Sequence, residues 1–150
     1  MSIMKGKKGL IMGVANERSI AWGIAKILAG NGAELAFSYQ NEGFMKRLIP
    51  LMKSIKSNKS FECDVSKSSN ELNSIEDMFK KISKIWNEID FVVHALAYSD
   101  KEELKGKYVN CSRENFLNSL DISAFSFTRV SKSALPLMSS KGGSLLTLSY

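Results

Sequence analysis

Short apolar runs alternate with longer segments of helical periodicity along the whole chain of 150 residues. The apolar runs predict five strands, at residues 9–12, 33–39, 60–65, 90–96 and 144–150. The segments between them predict helices at residues 19–28, 43–57, 70–86 and 113–135. This alternation favours a parallel sheet with helices on both faces, which is a doubly wound α/β fold.

Two segments carry the strongest periodic signal. In the third predicted helix, apolar residues recur at spacings of three and four: Leu72, Ile75, Met78, Phe79, Ile82 and Trp86. The fourth predicted strand contains the apolar run Phe91-Val92-Val93, which is typical of a strand buried on both faces. Pro50 predicts a break or kink in the second helix, and Gly30 with Gly32 is expected to end the first.

The composition fits a single globular domain over residues 1–150, because 44% of the residues are hydrophobic. No run reaches the roughly 18–20 apolar residues of a membrane span, so we expect no membrane insertion. The two cysteines, Cys63 and Cys111, lie far apart, which favours a reducing, cytoplasmic location over a disulfide framework. The single histidine, His94, lies in an apolar run, so we interpret it as a satisfied core residue and expect no metal site.

The formal net charge of +6 comes from lysines that are spread along the chain. Two groups recur at helical spacing: Lys53, Lys56 and Lys59, then Lys80, Lys81 and Lys84. We interpret them as solvated faces, and we do not expect nucleic-acid binding because no recognition motif or aromatic interleaving accompanies them. Attraction for an acidic partner or a phosphorylated cofactor is the intermediate interpretation.

The ends of the predicted strands are the first place to look for a ligand, since doubly wound sheets bind ligands beyond the carboxyl ends of their strands. The residues there are Gly13, Gln40, Asp64 with Val65, and Ala95 with Leu96. Gly13 has no Cβ and could let the backbone approach a pyrophosphate, while Ser19 could cap the following helix and offer its hydroxyl to the phosphate. The turn is not the usual G-x-G-x-x-G pattern, so an ordinary strand-to-helix turn is the alternative.

The other strand ends suggest a dinucleotide without deciding which one. Gln40 stands where many NAD-binding folds carry an acidic residue that grips the ribose, and basic residues follow it, so NADH and NADPH both stay open. Asp64 could accept a hydrogen bond from an adenine amino group while Val65 packs on the ring, although Asp64 could equally cap a turn. Leu96 would let a cofactor lie flat, and Tyr150 could hydrogen-bond a carbonyl substrate.

Five motifs occur together in register over essentially the whole chain. They are Gly13-Val14-Ala15 with Ser19-Ile20-Ala21, the segment from Glu34 to Gln40, Cys63-Asp64-Val65, Asp121-Ile122-Ser123, and the segment from Gly143 to Tyr150. Together they resemble the bacterial NADH-dependent enoyl-(acyl-carrier-protein) reductases, a divergent branch of the short-chain dehydrogenases. The resemblance implies a Rossmann-like fold, NADH as cofactor, and reduction of a trans-2-enoyl thioester carried on acyl carrier protein during fatty-acid elongation.

The resemblance also implies a role for each candidate position. On the cofactor side it implies that Gly13, Ser19 and Ile20 line the pyrophosphate and ribose, Gln40 the adenosine, Asp64 and Val65 the adenine, and Leu96 the nicotinamide-side ribose. On the substrate side it implies that Ser99 touches the acyl group and that Tyr150 is the first of two active-site tyrosines.

The family's second tyrosine and its lysine lie downstream of the position of Tyr150. We therefore expect a truncated chain or a fragment that lacks the C-terminal catalytic and substrate portion, and the resemblance implies a homotetramer for complete relatives. An apolar fifth strand without a successor would form an exposed sheet edge. Two alternatives stay open: a catalytically inactive nucleotide-binding fragment, or another short-chain carbonyl reductase, although those enzymes usually carry a glycine-rich first turn.

Overall fold

The chain forms one five-stranded parallel sheet with helices between its strands in residues 2–149, the part that the computed structural model describes. The strands are β1 (Lys8–Met12), β2 (Glu34–Tyr39), β3 (Lys59–Glu62), β4 (Phe91–His94) and β5 (Ser144–Thr147). The helices are α1 (Ile20–Gly30), α2 (Glu42–Ser54), α3 (Ile75–Ile82), α4 (Arg113–Leu120) and α5 (Ser126–Ala134). Single 3₁₀ turns occur at Tyr108–Asn110 and Leu135–Leu137.

The strand order is β3-β2-β1-β4-β5, and every pairing is parallel. From the central β1, the chain adds β2 and β3 on one side and then returns to add β4 and β5 on the other. The order therefore reverses between β1 and β4, which is the switch point of a doubly wound sheet. The predicted fold class is confirmed.

Each face of the sheet is covered by its own layer of helices. Successive strand residues alternate between the two layers, because side chains of a strand point to opposite faces. Leu10 and Met12 pack with α3 and α5, whereas Ile11 between them packs with α1 and α2. All three are fully buried, so β1 is the apolar centre of the molecule.

The third helix is much shorter than its periodicity predicts. We expected it at 70–86, but α3 covers only Ile75–Ile82, and Leu72 is 70% exposed instead of packing in the core. Two local features make the helix begin at Ile75. Asn73 has a left-handed backbone (φ 61°), and the hydroxyl of Ser74 accepts the N–H of Asp77 as an N-cap.

Other boundaries differ less from the prediction. Helix α2 continues through Pro50 as one helix. The predicted helix at 113–135 is helical throughout, but a π-helical turn at Asp121–Phe125 separates α4 from α5. Among residues 2–149, strand β5 pairs with β4 alone, and Leu145 and Leu146 are 37% and 44% exposed, as expected for an apolar edge strand. Within residues 2–149, no helix combines the length and the apolar character needed to cross a membrane.

The single histidine is a core residue, as predicted. His94 is fully buried at the end of β4, with Nδ1 3.0 Å from the Thr147 hydroxyl and Nε2 2.8 Å from the Ser126 hydroxyl. The Ser126 hydroxyl itself donates to the carbonyl of Ile122 in the π turn. It therefore accepts from Nε2–H of the imidazole, which leaves Nδ1 to accept from Thr147. His94 thus ties β4 to β5 and to the start of α5.

Candidate functional site

A pocket of about 270 Å³ opens at the carboxyl ends of the strands. Five of the candidate residues line it, and one or two of them follow the end of each of the first four strands: Gly13, Gln40, Asp64, Val65 and Leu96. They converge because neighbouring parallel strands end at the same edge of the sheet. The pocket lies at the reversal of strand order between β1 and β4, where ligands of such sheets bind.

Gly13 is required by the geometry of the turn that leaves β1. Its φ of +101° lies in the region that residues with a Cβ rarely adopt. A Cβ built on Gly13 would overlap the carbonyl group of Ala95, lying 2.6 Å from its carbonyl carbon. Here the end of β1 runs against the segment after β4, held by the Ala95 N–H donating to the Met12 carbonyl at 3.1 Å. The packing against Ala95 therefore requires glycine at position 13, whether or not a ligand binds nearby.

Ser19 occupies the N-cap position of α1, but its side chain does not cap the helix as expected. Its hydroxyl accepts the N–H groups of Ala15 and Asn16, at 3.0 and 3.1 Å, and so stabilises the turn before the helix. Ile20 is 70% exposed, and neither Ser19 nor Ile20 lines the pocket. Both lie beyond Ala15, which does line it.

The N-terminus of α1 differs from those of α2, α3 and α4. Each of those three helices has a side-chain cap and an acidic residue in its first turn. Among the described residues, α1 has neither. Since first-turn N–H groups lack partners within the helix and carry partial positive charge, this end of α1 suits an anion.

Gln40 and Asp64 form a polar pair at the ends of β2 and β3. The amide nitrogen of Gln40 donates to Oδ2 of Asp64 at 3.4 Å. The other oxygen, Oδ1, accepts the backbone N–H of Ser66 at 3.0 Å and its hydroxyl at 2.7 Å. Burial raises the pKa of Asp64, but these hydrogen bonds outweigh it and hold the pKa below the ordinary value of 3.8. The carboxylate is therefore ionised at neutral pH and accepts only from neutral donors in the described chain.

Apolar residues complete the wall of the pocket. Val65 is 8% exposed, and Phe44 from the first turn of α2 and Ile122 from the π turn line the same space. The guanidinium of Arg47 lies 4.7 Å from the centre of the Phe44 ring. Phe44 was not singled out from the sequence, although its place one turn after β2 is a usable signal. Nothing in the sequence predicts the π turn that brings Ile122 inward.

Ser99 lies outside this pocket and lines a neighbouring one of about 370 Å³. Leu96 belongs to both pockets, so the two spaces meet at the end of β4. The hydroxyl of Ser99 accepts a hydrogen bond from the amide of Asn115 at 3.1 Å. The candidate catalytic residue, Tyr150, lies outside the described residues.

The residues present fit a dinucleotide. A pocket at the switch point offers an ionised carboxylate, an amide and an apolar wall, and its lining includes the turn from Gly13 to Ala15 that leads towards the uncapped start of α1. An adenine amino group suits the Asp64 carboxylate, and a pyrophosphate suits the helix end. The strand order and the position of the pocket define the chain as a Rossmann-like α/β protein.

The chain belongs to a family within that class. The family model described as enoyl-(acyl carrier protein) reductase matches residues 13–150. Among curated relatives, enoyl-(acyl-carrier-protein) reductase (NADH) 2 of Rhizobium meliloti is 51% identical over 148 residues, covering 99% of this chain and 53% of the relative. The corresponding FabI of Rickettsia typhi is 47% identical over 99% of this chain and 55% of its own length. The chain therefore belongs to the enoyl-(acyl carrier protein) reductase family and spans about half the length of these relatives.

Solved structures agree with this assignment. FabI from Candidatus Liberibacter asiaticus superposes with a TM-score of 0.94 at 49% identity, covering 100% of this chain and 56% of the other. An enoyl-(acyl-carrier-protein) reductase from Anaplasma phagocytophilum, solved in complex with NAD, superposes with a TM-score of 0.90 at 52% identity, covering 98% and 55%. The predicted family resemblance is confirmed.

Proposed function

We propose that this chain binds NADH in the pocket at the strand ends and serves as the cofactor-binding part of an enoyl-(acyl-carrier-protein) reductase. The observation that carries the proposal is the meeting of Gln40, Asp64 and Val65, at the ends of β2 and β3, in the pocket that reaches the switch point of the sheet. The relatives named as NADH-dependent reductases and the neighbour solved with NAD support it. We take residues 1–150 as a single dinucleotide-binding domain, in which NADH would supply a hydride for reduction of a trans-2-enoyl thioester.

In this proposal, different residues of the chain contact successive parts of the cofactor. Asp64 accepts from the adenine amino group, Val65 packs on the ring, and Gln40 hydrogen-bonds the adenosine ribose. Gly13, Ser19 and Ile20 border the pyrophosphate through the turn that leads into α1. Leu96 supports the nicotinamide-side ribose, Ser99 faces the acyl group in the adjoining space, and Tyr150 hydrogen-bonds the thioester carbonyl.

The charges around Gln40 favour NADH over NADPH. A 2′-phosphate on the adenosine ribose would add negative charge to a pocket that already carries the Asp64 carboxylate, which disfavours its binding. The nearby cations are engaged elsewhere: Lys46 pairs with Glu42 at 3.0 Å, and Arg47 stacks on Phe44 while donating to the carbonyl of Gly43. The Lys67 ammonium, whose charge also lowers the pKa of Asp64, donates to the carbonyl of Leu72 at 2.9 Å.

An exposed apolar surface supports the predicted oligomer of the whole protein. Phe116, Leu117, Leu120 and Phe125, on α4 and the π turn, are 45–53% exposed. Large apolar side chains exposed within one helical segment are typical of a surface that another protein subunit covers. The homotetramer, acyl carrier protein as partner and a cytoplasmic location remain predictions from the sequence and the family.

The test is a titration of this chain with NADH and NADPH, followed by cofactor fluorescence. We expect NADH to bind more tightly than NADPH, and Asp64→Asn to weaken NADH binding about tenfold, since it removes a charge-assisted hydrogen bond. Asp90→Asn is the matched control. This carboxylate lies at the amino end of β4, where it pairs with Lys7 at 2.7 Å and accepts the Lys8 N–H, so its loss should leave NADH affinity unchanged.

A second arm measures NADH oxidation with a short enoyl thioester. Binding without turnover would identify these residues as the cofactor-binding part of the reaction. Turnover would show that they also carry the chemistry. Failure of NADH to bind, or equal binding to wild type and Asp64→Asn, would contradict the assignment of the pocket.

A further inference from the structure

Arg129 on α5 joins three segments beneath the pocket. Its guanidinium donates to the carbonyls of Val65 at 2.9 Å and Lys67 at 2.8 Å, in the loop after β3. It also forms a two-pronged pair with the Glu76 carboxylate of α3, at 3.3 and 2.8 Å. The Arg129 side chain is only 16% exposed, so these contacts are largely shielded from water.

One peptide unit connects Arg129 to Asp64. The Val65 carbonyl that accepts from Arg129 and the Ser66 N–H that donates to Asp64 belong to the same planar, trans peptide. In such a unit the C=O and N–H groups point in opposite directions. When Arg129 fixes the carbonyl on one side, it therefore aims the N–H at the Asp64 carboxylate on the other.

The second carbonyl strengthens this constraint. Lys67 lies two residues after Val65, so Arg129 grips the loop on both sides of Ser66. The Lys67 N–H also donates to the Asp64 carbonyl at 3.2 Å, which closes the loop into a turn. With both neighbours of Ser66 held, its hydroxyl and its N–H are kept on the same oxygen of Asp64.

Glu76 compensates the positive charge that Arg129 brings close to the pocket. Burial raises the pKa of Glu76, but the Arg129 guanidinium beside it holds the pKa below its usual value. The pair is therefore ionised on both sides and neutral as a unit. Arg129 orients the loop through hydrogen bonds while its positive charge is compensated by Glu76.

We propose that Arg129 is a positioning residue for the adenosine end of the dinucleotide, acting through the Val65–Ser66 peptide to hold the Asp64 carboxylate in place. The inference rests on the proposed function of the pocket, since it gives that site a supporting residue. Arg129 lies on the opposite side of the loop from the carboxylate it orients and does not line the pocket. It acts by preorganisation, because a loop already ordered before binding loses less entropy when the ligand arrives.

The experiment is a double-mutant cycle between Arg129→Met and Asp64→Ala, with NADH and 5′-AMP as probes. Methionine keeps most of the apolar stem of Arg129 and removes the donors. We expect Arg129→Met to weaken both probes about tenfold in the wild-type background and less than twofold in the Asp64→Ala background, where no carboxylate remains to be positioned. Glu76→Gln should give an intermediate loss, because it keeps the guanidinium but loosens its anchor.

Lys59→Met is the matched control. Lys59 pairs with Glu34 at 2.7 Å and, like Arg129, links segments that are distant in sequence. This pair lies at the amino ends of β2 and β3, at the opposite end of the strands from the pocket. The variant should lower the urea midpoint without changing the affinity for either probe. Equal losses from Arg129→Met in both backgrounds, or no loss in the wild-type background, would overturn the positioning role. Absence of binding to the wild-type chain would instead overturn the proposed function itself.

Discussion

Replacing Gly13 by alanine tests the packing of the site most directly. The turn needs a positive φ at this residue, and the space where a Cβ would lie is filled by the backbone carbonyl of Ala95. Backbone atoms cannot rotate away as a side chain can. Either the end of β1 or the segment after β4 must therefore move, at the point where the pocket is formed.

The expected cost follows from two separate effects. A residue with a Cβ in the left-handed region costs about 1–2 kcal/mol. Moving the strands apart also breaks the partly buried hydrogen bond from Ala95 N–H to the Met12 carbonyl, which is worth about 1 kcal/mol. We therefore expect Gly13→Ala to lower the free energy of unfolding by about 2–3 kcal/mol, a large part of the roughly 5–15 kcal/mol typical of a domain.

Gly23→Ala provides the opposite control. Gly23 lies inside α1, and a Cβ there would meet nothing within 4 Å. We expect this variant to gain about 0.5–1 kcal/mol, because alanine is the better helix former. Urea unfolding followed by circular dichroism should place the Gly13→Ala midpoint about 1 M below wild type and the Gly23→Ala midpoint above it. A Gly13→Ala midpoint equal to that of wild type would refute the argument from the Ala95 contact.

Two further outcomes follow from buried titratable groups. Burial lowers the pKa of His94 below its ordinary 6.5 in the folded chain, so the unfolded chain binds a proton at higher pH than the folded chain does. We expect this group to leave the free energy of unfolding level above pH 6.5 and to lower it below that pH. Urea midpoints measured between pH 8 and 5 should therefore fall less in His94→Gln than in the wild type. Burial, together with the Asp64 charge, raises the pKa of the Cys63 thiol to about 12, so a thiol reagent at pH 8 should modify only Cys111 in the native chain and both cysteines in urea. Reaction of native Cys111→Ser at the wild-type rate would contradict this.

The fold could be predicted largely from periodicity, because the central strands are apolar and the helices around them are amphipathic. The prediction was wrong where local chemistry overrides the pattern. Leu72 continues the apolar repeat of α3, yet the left-handed residue Asn73 and the N-cap Ser74 begin the helix after it. A hydrophobic pattern records which residues suit a core, whereas caps and backbone conformation decide where a helix begins.

The site could be predicted as far as the strand ends reach. The rule for doubly wound sheets correctly brings Gln40 and Asp64 together, although they are 24 residues apart. It does not extend to Arg129, which contacts the Asp64 loop from α5 across more than 60 residues of sequence. The sequence carries no signal for this contact, since the groups of the loop that accept from Arg129 are backbone carbonyls, which every residue has.

Carboxylates at the amino ends of the strands have different partners from the carboxylate at their carboxyl ends, and this difference indicates which end of the sheet binds a ligand. At the amino ends of the strands, carboxylates are paired with cations: Glu34 with Lys59, and Asp90 with Lys7. At the carboxyl ends, Asp64 has no ion-pair partner among the described residues; neutral donors lower its pKa most, and the more distant charge of Lys67 adds to their effect. A lysine at hydrogen-bond distance would have neutralised the charge of Asp64 and competed with a ligand for its lone pairs. Because Ser66 donates twice to Oδ1 and Gln40 once to Oδ2, one lone pair of Oδ2 is left to accept from a neutral amino group such as that of adenine.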